Sequence, residues 1–168
     1  MLRIDVYGSR ELQATILSIR RAPAEIRKRI RQHTKEIAAT EWTKALAERA
    51  ETRLEHAVLV RTARVQVSDQ NIKLKSGSLT KKLSGGLPVS EGAPVAEFGT
   101  KQDKKTTYAR KSKGGGSHQV TRRTRHAFKP LNRKGYVVYP AAAEMIPRIA
   151  SLWVQTTIRT FYEALERK

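Results

Sequence analysis

The chain has 168 residues, of which 39% are hydrophobic and 6% aromatic, with no cysteine and a formal net charge of +19. That length suits one domain with a real core and is short for two, while the lack of cysteine excludes disulfide frameworks, thiol nucleophiles and thiolate zinc sites. Self-repulsion of this size weakens a compact monomer until an anion neutralises it, so the composition implies an acidic partner: nucleic acid first, an acidic protein face second, an anionic membrane a poor third.

The opening "MLRIDVYGSRE" lacks an apolar core of signal-peptide length, and no stretch has the apolar run needed to span a bilayer. An aqueous, cytosolic setting without a membrane partner is expected. Leu2, Ile4 and Val6 alternate with polar neighbours and predict a strand, with Gly8 and a possible N-cap at Ser9 before a helix over 10–21, whose Leu12, Ile16 and Ile19 share a face. Pro23 suits the first turn of a second, long helix reaching about Ala57, with Ile26, Ile30, Ile37, Trp42, Leu46, Ala50 and Leu54 as its apolar stripe. Arg27, Arg31 and Lys35 lie opposite at four-residue spacing, beside Lys28 and Arg29. They read as a solvated face or as a surface turned to an anion.

From residue 57 the period changes to two. "AVLVRTARVQVSD" and "NIKLKSG" predict two strands joined near Asp69 to Asn71. Gly85, Gly86, Pro88, Gly92 and Pro94 mark a surface loop, followed by a short strand over 95–98. Between Lys101 and Lys134, twelve basic residues stand against Asp103 alone. "GYVVYP" then predicts a strand, and a last helix buries Met145, Ile149, Leu152, Trp153 and Phe161, with Pro147 kinking it or lying in its first turn. The fold class is α+β, with a small, mostly antiparallel sheet packed against a long N-terminal and a C-terminal helix. Residues 101–133 form an extended basic loop inserted between two strands of a single domain spanning 1–168.

Catalytic patterns are absent. His33, His56, His118 and His126 are scattered without ligand spacing, and the glycine-rich "SGGLPVSEG" and "KGGGSHQ" match neither phosphate-cradling pattern, so no metal, cofactor or catalytic residue is assigned. Glu97 sits among apolar residues in "VAEFGT" and is expected as a strand-edge carboxylate with a local Arg or Lys partner. One carboxylate is too little for general acid or base work. The basic segment, with Lys104, Lys105, Arg110, Lys111, Lys113, Arg122, Arg123 and Arg125, has two readings. It is a phosphate-directed nucleic-acid contact, with Tyr108, His118, His126 and Phe128 to stack on bases, or an insertion that orders only against a neighbouring chain.

Three segments carry a resemblance: the long basic N-terminal helix, "GAPVAEFGT", and "GYVVYPAAAEMIPRIASLWVQTTIRTFYEAL". Together they resemble the tail-component family of long-tailed phages, the lambdoid-type neck, tail-completion or head–tail joining proteins. Glu97, Phe98, Gly99 and Thr100 match that family's Glu-Phe-Gly-Thr step, and Pro140 with Ala141 its Pro-Ala entry into the last helix. The family's Ala-Pro-x-x-Thr-Gly-x-Leu turn is only echoed around Gly77 and Leu79, and Pro94 and Val95 stand where a Tyr usually precedes the step.

The resemblance implies a non-enzymatic virion protein of siphovirus type, assembled in the host cytoplasm into a homo-oligomeric ring, six-fold or twelve-fold. Such a ring sits in the neck between connector or portal-side proteins and the tail terminator or tube, with DNA in its channel. Gly99 would let the chain leave its sheet sharply, and the basic segment would reach a neighbouring subunit, an adjacent ring or the DNA, acidic protein surfaces ranking ahead of DNA. The alternative is a free nucleic-acid-binding protein using the basic loop and the basic helix face. A small hydrolase would need a carboxylate cluster the sequence does not display.

Overall fold

The computed structural model describes residues 2–3, 9–102, 104–124 and 128–166. It is α+β, with five helices and two small antiparallel sheets among the described residues. Ser9 caps helix α1 (Arg10–Arg21), its Oγ accepting from Leu12 N at 3.4 Å. Leu12 and Ile19 are buried and Ile16 is half-buried, as the spacing predicts. Pro23, at φ −55°, leads into helix α2 (Ala24–Arg49), and the acid in its first turn and base in its last complement the helix dipole.

Helix α2 stops short of the expected end because another helix start lies in its path. Thr52 and Glu55 form a capping box: Thr52 Oγ1 accepts from Glu55 N, and the Glu55 carboxylate accepts from Thr52 N. The box opens helix α3 (Arg53–Glu55), which continues as a π-helical segment, His56–Val60. The expected strand over 57–69 therefore shrinks to β2 (Arg64–Val67). The apolar run Ala57–Val60 is helical, with Val58 and Leu59 buried, an ambiguity that short apolar runs carry.

Strand β2 pairs antiparallel with β3 (Ile72–Lys75), as predicted, and β3 pairs on its other edge with β1 (Leu2–Arg3), giving the order β1-β3-β2. Ile4, Val6 and Gly8, which complete the expected first strand and its turn, lie outside the described residues.

Two further expectations are corrected. Residues 95–98 are not a strand but the end of helix α4 (Val89–Phe98), which starts after Pro88 and packs on the π-helical segment. Gly92 packs close to Leu87 and Val58, which a Cβ there would crowd. "GYVVYP" is likewise not a strand: Val137 is buried in the turn and helix α5 (Val138–Glu166) begins at once, with Pro140 in its first turn and Pro147 in its interior.

The core forms where α2 packs against β2 and against α5, and where α1 packs on α5. Trp42, Trp153, Ile30, Leu46, Ile72 and Ile149 are its largest fully buried side chains together with Ile19 and Leu59. Trp42 Nε1 donates to Lys75 O at 3.2 Å and so ties α2 to the sheet. On α5, Met145, Ile149 and Trp153 are buried as expected, while Leu152 and Phe161 are half-buried. Buried Thr157 and Thr160 satisfy their hydroxyls on the Trp153 and Thr156 carbonyls. Among the described residues no helix is long and apolar enough to cross a membrane.

Candidate functional site

The basic segment is not a loop between two strands but a β-hairpin between two helices. Strands β4 (Lys104–Lys111) and β5 (Ser117–Thr124) are each eight residues long and pair antiparallel from Lys104↔Thr124 to Lys111↔Ser117. Thr106, Thr107, Tyr108, Val120 and Thr121, β-branched or aromatic, give strand propensity that the sheer density of charge hides. The turn closes with Ser112 N donating to Gly116 O at 2.7 Å, and Gly115 takes φ 84°.

From Lys105 to Arg122 every side chain is exposed except half-buried Val120. The register sorts the ribbon into two faces. Tyr108 and Val120 share one with Arg110, His118 and Arg122, and the Arg122 guanidinium lies 5.8 Å from the Tyr108 ring centroid. The other holds Lys105, Ala109, Lys111 and Gln119, with Thr107 and Thr121 hydrogen-bonded at 2.9 Å.

Lys105, Arg110, Lys111, Lys113 and Arg122 make no ion pair with any acid among the described residues. Lys104 and Arg123 are placed on the ribbon by the strand pairing, and Arg125 and His126 lie outside the described residues. Phe128, 40% exposed, is not on the ribbon but in an open groove of about 480 Å³ at its base, beside Leu54, Val95 and Lys129.

The ribbon stands on a dense anchor built from the Glu-Phe-Gly-Thr step. Glu97 is 4% exposed and has no Arg or Lys partner among the described residues; the expected strand-edge ion pair is replaced by a helix cap. Its Oε2 accepts from Val137 N at 3.1 Å and Val138 N at 2.7 Å, and its Oε1 from Tyr139 N at 3.0 Å, so one carboxylate satisfies three donors at the start of α5. Gly135, at φ 76°, is pressed against that carboxylate where a Cβ would collide with it.

Two residues on, Gly99 takes φ 68° and lies against the Lys129 and Pro130 carbonyls, with no room for a Cβ. It releases the chain from a helix, where the expectation was a sheet. Thr100 N donates to Lys129 O at 3.0 Å, Asn132 N to Phe98 O at 2.8 Å, and the Phe98 ring meets Tyr139 at 5.5 Å. The described segments before and after the hairpin, Phe98–Thr100 and Lys129–Asn132, are thereby pinned to each other beside α4 and the first turn of α5, where Ala141 is buried and Pro140 half-buried.

A second tie holds the return strand. Lys129 Nζ pairs with Glu55 at 2.8 Å and Glu51 at 2.9 Å, and lies 4.9 Å from the Tyr136 ring centroid. Burial pushes the Glu55 carboxyl up, but the Lys129 hydrogen bond and the Thr52 and Glu51 N–H donors outweigh it and hold it below the usual range. Burial likewise lowers Lys129, and its two carboxylate partners more than reverse the effect and raise it.

The predicted basic face of α2 divides. Arg31 and Arg27 pair with Asp69 of the β2–β3 turn at 2.6 and 3.6 Å, so they join the helix to the sheet instead of facing a ligand; Lys35 remains exposed. Arg49 similarly reaches Glu144 of α5 at 2.5 Å. The structure gathers Lys105, Arg110, Lys111, Lys113 and Arg122 on one arm, commits Arg27, Arg31 and Arg49 of α2 to structural ion pairs, and leaves Lys28, Arg29 and Lys35 exposed on that helix. Sequence reasoning missed Glu55, Lys129, Gly135 and Asn132. The Thr-x-x-Glu spacing of Thr52 and Glu55 was the available signal; nothing local marks Lys129 among so many bases.

No group of three or more His, Cys, Asp or Glu side chains comes together among the described residues. The arrangement offers instead a preorganised cationic ribbon on a rigid base. Comparison with family models, with curated proteins and with solved structures gives no match.

Proposed function

We propose that the protein is a structural subunit of a phage virion, forming a homo-oligomeric ring in the neck that joins the DNA-filled head to the tail. The observation that supports this reading is the arm: two eight-residue strands whose described side chains are almost all exposed, mounted on an anchor made from Glu97, Gly99, Thr100 and the first turn of α5. An isolated two-stranded hairpin is marginal in water, and one that buries no face of its own is suited to a surface supplied by another molecule. The anchor residues are those of the resemblance to tail-component proteins.

In this reading the chain performs no catalysis. Its neighbours are further copies of itself, connector or portal-side proteins on one side, and the tail terminator or tube on the other. Negative-stain microscopy and analytical ultracentrifugation of the purified full chain test it, with closed rings expected alone or on mixing with heads. A protein that stays monomeric and never joins heads to tails would remove the proposal.

A further inference from the structure

The neck reading leaves open what the arm touches. We infer that the β4–β5 ribbon binds duplex DNA, lying in the major groove and contacting phosphates on both sides without reading sequence. The inference goes beyond the neck reading and stands without it, since it rests on the ribbon alone.

Residues 104–124 hold seven Lys or Arg and no acid. The described ones point from both faces and make no ion pair with an acid among the described residues: Lys105 and Lys111 on one, Arg110 and Arg122 on the other, with Lys113 at the tip. A flat acidic protein surface would meet only one face and leave the other charged and uncovered. A groove flanked by two phosphate strands meets both.

Dimensions agree. Eight residues per strand reach about 27 Å at ~3.4 Å per residue, and two strands about 4.8 Å apart are the width of element that a ~12 Å major groove admits.

Composition also discriminates. Protein interfaces are depleted in Lys and enriched in large apolar anchors, whereas DNA-binding surfaces are polar and strongly positive. The ribbon carries Tyr108 and Val120 as its only sizeable apolar side chains, and Arg122 already lies over the Tyr108 ring. That pairing stiffens the ribbon and prepositions one cation. The anchor fixes the base, so little ordering remains to be done on binding.

The test is fluorescence anisotropy of the full chain with a short random-sequence duplex across a salt series. Seven phosphate contacts predict a slope of log K against log salt of about −6. The variant Arg110→Gln/Lys111→Gln/Lys113→Gln/Arg122→Gln should lose roughly 10³-fold in affinity at 0.1 M salt and about 3 to 4 units of slope, with unchanged circular dichroism. A charge-matched variant with Arg10, Arg20, Arg21 and Arg148 changed to Gln, all exposed and off the ribbon, should lose far less. Equal losses in the two variants would overturn the inference, as would a salt-insensitive wild type. Dimethyl sulfate should be excluded from guanine N7, which faces the major groove; full reactivity there would refute the groove placement. Stronger binding to a single strand, or displacement by polyglutamate as effective as by unlabelled duplex, would also refute it. Ring formation without DNA binding would sink this inference and leave the neck reading intact; DNA binding by a permanent monomer would do the reverse.

Discussion

Replacing Glu97 by Ala should be among the most damaging single changes in the molecule, although the site has no catalytic part. Its carboxylate is the acceptor for Val137, Val138 and Tyr139 N–H at 2.7–3.1 Å. Removing it strands three donors, each costing about 1–3 kcal/mol where water is excluded, and deletes a negative charge at a helix N-terminus. Val137 is fully buried, Val138 half-buried and Tyr139 exposed, so the lower part of that range applies and the sum is about 3–5 kcal/mol.

For a chain of this size about 1 kcal/mol moves Tm by some 2–4 °C, which places the loss near 10 °C. Glu97→Gln is the informative companion. It keeps one acceptor oxygen but turns an amide NH₂ toward a backbone donor, and should fall between wild type and Ala. Differential scanning calorimetry, or urea unfolding followed by the buried Trp42 and Trp153, reads both. A loss below about 1 kcal/mol for the Ala variant would show that these donors are satisfied by solvent and that the cap is not what joins α4 to α5.

Gly99→Ala should destabilise by at least about 2 kcal/mol, because φ 68° disfavours a side chain and a Cβ would meet the Lys129 and Pro130 carbonyls; urea titration checks it, and a neutral result would mean the arm base is loosely held. Lys129→Met strips the cation from buried Glu55 and should cost about 2–3 kcal/mol at pH 7, less than a fully buried pair because Lys129 is 23% exposed. The wild-type carboxyl is depressed, so its contribution is present above the ordinary value of 4.5 and lost as pH falls through the folded pKa; the Lys129 contribution is present below 10.5 and lost as pH rises through its raised pKa. The Met variant's penalty should accordingly shrink between pH 7 and pH 4, as protonation of Glu55 removes the unpaired charge, and a pH-independent penalty would contradict the pairing. Thr34→Val should raise stability by about 0.5–1 kcal/mol in calorimetry, since the Thr34 hydroxyl is buried without a partner; a loss would reveal a bound water there.

Much of the helical frame was legible in the sequence because period and caps agree: Ser9 before α1, Pro23 before α2, and Ile149 and Trp153 on the inner side of α5. The β2–β3 pairing was legible from alternation. The failures share a physical cause. Residues 57–60 and 95–98 are short apolar runs whose local preference fits strand or helix, and burial against each other settles them as helical. In the arm, charge density masked the strand propensity of Thr106, Thr107, Tyr108, Val120 and Thr121, and only pairing reveals that Thr106, Tyr108, Val120 and Arg122 share a face. Glu97 looked like half of an ion pair because its acceptors' true partners, the N–H groups of 137–139, lie some forty residues away in sequence. Arg27 and Arg31 were correctly grouped on one face, but Asp69 is brought to them only by the turn after β2.

The most direct test of the account is deletion of Thr106–Thr121, which removes the ribbon and spares the anchor. The shortened chain should melt within about 3 °C of the full one, since the removed side chains contribute almost no buried surface, yet fail to join heads to tails. Collapse of the fold would mean the arm belongs to the core. Assembly and joining at full efficiency would mean the arm is dispensable, and the central claim would fall.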